Sequence, residues 1–156
     1  MRIVRSSSEA MRGVYVLLIY VSGDVHVKVG ALGRLLFRKG FYAYVGSAQN
    51  GLENRLMRHF QGARHKFWHI DYLIGSKAAF LVGAFYKVAG KDEECKSARE
   101  FGKIGFHVKG FGCSDCGCES HLFMFKDATI IEGLCFKLGF KRYIANESPY
   151  CDTSDA

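Results

Sequence analysis

An α+β fold, with a small and mainly antiparallel sheet flanked by helices, is what this sequence predicts, and three observations predict it. Short runs rich in β-branched and aromatic residues recur at 13–21, 25–29, 41–45, 80–86 and 122–125, as strands require. Between and after them, 50–60, 91–103 and 128–138 read as helices. The first two runs are separated only by Ser22-Gly23-Asp24, turn chemistry that sends the chain back against itself. With 156 residues, 49% hydrophobic and 24% charged, the chain has the size of one domain and enough apolar side chains to fold without staples. A single proline argues against a linker-rich or repeat-built architecture.

Residues 1–12 are polar and serine-rich and are expected to be a flexible N-terminus; residues 146–156 are polar and acidic and are expected to be a flexible tail. One domain is expected over 13–145. Its first strand, 13–21, is apolar enough to be buried on both faces, whereas 25–29 alternates at a period of two and is expected to pair with it as a half-exposed hairpin strand. After the strand at 41–45, Gly46-Ser47-Ala48 reads as a small-residue turn into a helix. Asn50 is the expected N-cap, with Glu53 in capping-box position. Leu52, Leu56 and Phe60 form the packing face of that helix, and Arg55 and His59 stand one turn apart on another face, with Arg58 beside them. On the later helix, Glu93 shares a face with Ser97 and Glu100, a solvent pattern. Glu94 shares one with Ala98 and Phe101, an inward pattern. A carboxylate on a packed face needs a partner, either a cation or an arginine such as Arg55.

The formal charge of +7 is concentrated: residues 28–66 hold eight Lys and Arg against Glu53 alone, and the rest of the chain balances. Such a local field suits a polyanion, with nucleic acid as the expected partner and DNA before RNA. Arg38, Lys39, Arg58, Arg64 and Lys66 are the candidate contacts, joined by His69 from Phe67-Trp68-His69-Ile70-Asp71-Tyr72-Leu73. That stretch reads either as a substrate contact, with Trp68 or Tyr72 stacking on a base, or as a packing segment fixed by His69 and Asp71. The apolar run 14–21 is too short to span a bilayer and no cleavage site follows it, so a cytoplasmic protein without membrane contact is expected. In that compartment clustered cysteines read as metal ligands. Cys113, Cys116, Cys118 and His121 are candidate ligands of a structural zinc, held in a loop over 113–121, with Cys95 or His107 as substitutes.

Tyr15 and Tyr44, on strands of one sheet, together with Arg55, His59 and Glu94, supply the parts for phosphodiester hydrolysis. Arginine forks onto phosphate oxygens, a carboxylate holds a hard divalent ion, and a phenol or imidazole serves as base. A phenol with a pKa of about 10 needs nearby positive charge for that work. These residues, as Gly13-Val14-Tyr15, Tyr44-Val45-Gly46, Arg55-x-x-x-His59 and Glu94 opening a later helix, resemble the GIY-YIG nuclease superfamily. That superfamily includes homing endonucleases, some restriction enzymes and the incision subunit of bacterial nucleotide excision repair. More closely, the chain resembles small prokaryotic proteins sometimes joined to endonuclease III-type repair glycosylases. The pattern shared with them is YVGSA, RHF, WHIDYL, a Glu-Cys pair at Glu94-Cys95 and a cysteine-rich segment ending in SHLF, so that the likeness covers 13 to about 125.

The resemblance implies a three-stranded antiparallel core, extended here by an extra hairpin strand, and a metal-dependent endonuclease working in DNA repair or processing, with a repair protein as partner. Tyr15 would be the general base or orient the water, and Tyr44 a second active-site phenol. Arg55 would neutralise the scissile phosphate, His59 would assist proton transfer, and Glu94 would hold one magnesium or manganese ion. Two departures stand out: Ser47 occupies the place where many members carry lysine, and residues 25–40 widen the gap between the two tyrosine motifs. A non-catalytic nucleic-acid-binding module that keeps the scaffold, and a zinc-stabilised protein-interaction domain, are the rival readings.

Overall fold

A computed structural model describes residues 11–62, 64–113 and 116–144; the flexible termini expected over 1–12 (apart from Met11 and Arg12) and 146–156 lie outside them. The expected α+β class is the observed one. Strands β1 (Gly13–Val21), β4 (Gly40–Ala48), β5 (Ala79–Val88), β6 (Phe106–His107), β7 (Leu122–Phe125) and β8 (Lys141–Tyr143) form a six-stranded sheet in the order β6-β7-β4-β1-β5-β8. Every pairing within it is antiparallel. The implied three-stranded core is its centre, β4-β1-β5, and three short strands extend it on both sides.

β1 is buried on both faces because each face is covered. Tyr15, Leu17, Ile19 and Val21 face helices α1 (Leu52–Gln61) and α2 (His69–Ile74), packing with Leu52, Leu56, Ile70 and Leu73. Val14, Val16 and Leu18 face α3 (Asp92–Gly102) and α4 (Ala128–Lys137), packing with Ala98, Phe101, Ile131 and Cys135.

The structure corrects several local expectations. Strand β2 (Val25–Lys28) does not pair with β1, because nine-residue ladders to β4 and β5 already occupy both edges of β1. It pairs with β3 (Arg34–Phe37), a strand not anticipated, in a separate two-stranded sheet whose inner side chains pack on the core. Gly46-Ser47-Ala48 continues β4 instead of turning, in register with Gly13–Tyr15. Asn50 and Glu53 do not cap α1: the helix starts after Gly51 at φ +124°, and the Leu52 amide donates to the carbonyl of Met11. Ser97, placed on a solvent face by spacing, is buried. Residues 69–74 form a short helix, since Asp71 accepts the amides of Phe67 and Trp68 and closes the first turn.

Candidate active site and metal centre

The two phenols meet on one face of the sheet. Tyr15 lies opposite Gly46 and Tyr44 opposite Leu17, which brings the rings to 6.3 Å between centroids. Gly46 makes this possible, because a Cβ there would stand 2.5 Å from the Tyr15 ring. From α1, His59 completes the cluster with its Nε2 2.9 Å from the Tyr15 hydroxyl. Both phenols are almost wholly buried, and burial outweighs the pull of Arg55. Tyr15 is pushed up to about 12 and Tyr44 well above the ordinary phenol. The positive charge that a phenol base needs is present in Arg55 but is outweighed, because desolvation penalises the phenolate.

Burial also pushes His59 down to about 4 against the opposing pull of Asp71, so its ring is neutral. A neutral ring accepts the Tyr15 proton at Nε2 and carries its own on Nδ1, which has no hydrogen-bond partner. The unfolded chain binds a proton on this histidine below about pH 6.5, and the folded chain only below about 4. Stability from this group is therefore complete above the upper value and drains away as pH falls through that window. Of it, about 2 kcal/mol is lost by pH 5. Urea unfolding at pH 7 and 5 should show that loss in the wild type and not in His59→Gln; equal losses would contradict it.

Arg55 points back to the strand end, donating to the Ser47 carbonyl at 3.0 Å, and its charge favours the Tyr15 phenolate. Its guanidinium lies 4.1 Å from the centroid of the Trp68 ring, and that of Arg58 lies 4.4 Å away. Two cations on this indole leave little face for a base to stack on. Arg58 is bidentate to the buried Asp71 carboxylate at 3.0 Å on each arm, which lowers the Asp71 pKa despite burial. Arg58 thus secures α2 to α1 while staying partly exposed. His69 is similarly engaged, its Nδ1 accepting the Gly112 amide at 2.8 Å. Gly112, at φ +76°, packs against the Tyr44 ring, so this bond holds the loop that roofs Tyr44. Arg38, Lys39, Arg64 and Lys66 are exposed, with Arg38 paired to Asp24 at 3.4 Å.

Glu94 has a partner that spacing did not suggest. Its Oε2 lies 3.3 Å from Nδ1 of buried His121, and that nitrogen also lies 3.0 Å from the Val45 carbonyl. These acceptors fix the proton on Nδ1 and turn Nε2 toward Cys116 Sγ at 3.4 Å and Cys95 Sγ at 3.9 Å. The ligand atoms of Cys95, Cys116, Cys118 and His121 all lie within 4.8 Å of one another, close enough to hold a metal ion. Three sulfurs and one imidazole nitrogen are a donor set compatible with zinc. Cys113 stands outside the four, its thiol donating to the Phe111 carbonyl, and Cys95 from the first turn of α3 takes its place. His107 is occupied by Gly102 and Glu119. Adjacent residues on one helix thus bear on one cluster: Cys95 would be a ligand of a metal held there, and Glu94 is the acceptor that orients the histidine.

Glu94 nevertheless remains within electrostatic reach of the tyrosines, raising the pKa of both. It presents a single carboxylate to that side, since Asp71 is consumed by Arg58. A hard divalent ion there would need substrate phosphate and water to complete its shell. A groove of about 620 Å³ runs beside Cys95, Arg99, Lys103, Cys118 and Phe123, and a cavity of about 90 Å³ lies behind His59, lined by Arg58, Lys66 and Asp71. Among the described residues no helix is long and apolar enough to cross a membrane.

A family model described as a domain of unknown function, DUF123, matches residues 14–140. No curated protein and no solved structure matches the chain.

Proposed function

The chain belongs to the DUF123 family, and we propose that this member is a divalent-metal-dependent endonuclease that hydrolyses phosphodiesters in nucleic acid, DNA before RNA, in repair or processing. One observation carries the proposal: Tyr15, Tyr44, Arg55 and His59, read from separate motifs, gather on one face of the β1–β4 pair with the charge of Glu94 in reach. Arg55 forks onto non-bridging phosphate oxygens. Tyr15 takes a proton from the attacking water as its own passes to Nε2 of neutral His59, so that no free phenolate forms. A magnesium or manganese ion on Glu94 would supply positive charge at the leaving oxygen. We further propose a structural zinc on Cys95, Cys116, Cys118 and His121, a cytoplasmic site of action and a repair protein as partner.

A second reading, a nucleic-acid-binding module without cleavage, is favoured by the burial of Tyr15 and Tyr44 at 1% and 7% exposure. Nicking of supercoiled plasmid separates the two. Endonuclease activity predicts conversion that requires magnesium or manganese and falls about a thousandfold or more in Arg55→Ala, as when a principal transition-state contact is removed. Binding without conversion in either ion favours the second reading.

A further inference from the structure

We propose that the β2–β3 hairpin seats the substrate, lying with its outer face along the major groove of duplex DNA and placing Lys28 and Arg34 on phosphates. This rests on the nucleic-acid reading above and names the element that does the gripping.

The hairpin is two-sided. Val25, Val27, Leu35 and Phe37 turn inward onto the core, while His26, Lys28, Arg34 and Leu36 are exposed on the other face. Its register sets Lys28 directly opposite Arg34 and His26 directly opposite Leu36. Like charges facing each other across an antiparallel pair destabilise it. Among the described residues neither Lys28 nor Arg34 has an acidic partner, although Arg38 of the same hairpin does. A hairpin selected only for stability would carry an acid at one of these two positions, so the repulsive pair points to an anion supplied from outside.

Position supports the same conclusion. The short turn Gly30–Leu32 joining the strands lies against Tyr72 of α2 at Gly30 and against Gly110 at Leu32. Gly110 opens the loop whose Gly112 covers Tyr44, and exposed Lys109 precedes it. The charged end of the hairpin therefore adjoins the roof of the candidate site. A two-stranded ribbon fits the B-form major groove, whereas the A-form groove of duplex RNA is too deep and narrow for side chains to read. That difference decides for DNA.

The test is Lys28→Glu in the full chain, with affinity for a 20-base-pair DNA duplex, and for RNA of the same sequence, measured by fluorescence anisotropy at several salt concentrations; the duplex length is about that of a usual binding site. The new carboxylate faces Arg34, so the thermal midpoint holds or rises. DNA affinity falls about tenfold or more and the salt slope shrinks by about two, since Lys28 is gone and Arg34 is neutralised from within. Arg34→Gln, which also relieves the repulsion, should lose affinity and about one unit of slope. Lys137→Glu, an equal charge change on α4, should leave affinity within about twofold. Wild-type binding that Lys28→Glu and Arg34→Gln weaken no more than Lys137→Glu overturns the hairpin and leaves the nucleic-acid reading standing. Tighter binding to the RNA duplex overturns the choice of DNA. No binding of wild type to either duplex removes both the reading and the inference.

Discussion

Gly46→Ala is expected to cost about 3 kcal/mol or more of folding stability and to break the Tyr15–His59 bond. The new methyl would stand 2.5 Å from Cζ and 2.6 Å from the hydroxyl of Tyr15. Neither side can yield cheaply. Gly46 sits inside a nine-residue ladder, and the Tyr15 ring is enclosed by Tyr44 and held at its oxygen by His59. In a chain of this size the loss corresponds to a fall of roughly 6–12 °C in thermal midpoint. Gly133→Ala, on α4 where a Cβ meets nothing within 4 Å, is the control and should hold or gain stability. Similar behaviour of the two variants would show that Gly46 does not determine where Tyr15 lies.

The second large effect is expected at the proposed zinc centre. Stripping with a zinc chelator, or Cys95→Ser, should cost on the order of 5 kcal/mol, less than in a zinc finger because a separate core surrounds the site. The centre would join the first turn of α3 to the loop before β7, and reaches β4 through the bond from His121 to the Val45 carbonyl. Without metal, burial opposes charge on both His121 and Cys116, yet Glu94 and Val45 push the imidazole up to about 9 and hydrogen bonds from Cys118 and His121 lower the thiol. Metal binding should therefore release protons. Cys113→Ser discriminates the ligand sets, since it should retain metal content and stability; if it loses metal while Cys95→Ser retains it, the four ligands proposed are wrong.

What was legible in the sequence was whatever is local. The buried strand β1 and the half-exposed β5 are both continuous apolar runs, and the α1 face is set by Leu52 and Leu56. The inward turn of Glu94 followed from Ala98 and Phe101. What was not legible depends on partners distant in sequence. The alternation of β2 marks a half-exposed strand but cannot say that both edges of β1 are taken. The six-residue α2 is too short for periodicity and exists through Asp71, whose carboxylate needs Arg58 from another helix. Cys95 lies outside the cysteine-rich loop, so density of cysteines pointed to Cys113 first. The raised pKa values of Tyr15 and Tyr44 were not legible, because charge along the chain can be counted and burial cannot.

The measurement that tests the account most directly is plasmid nicking by Tyr15→Phe beside the wild type, with magnesium or manganese present. This change removes one oxygen, leaves the ring to fill its place, and should cost about 1–3 kcal/mol because buried His59 Nε2 loses its partner, so both proteins are compared well below the variant's thermal midpoint. If Tyr15 and His59 pass the proton of the attacking water, the wild type nicks the plasmid and the variant is slower by about a hundredfold or more. A wild type that binds the plasmid without nicking it, or a Tyr15→Phe variant that nicks as fast as the wild type, would contradict the account.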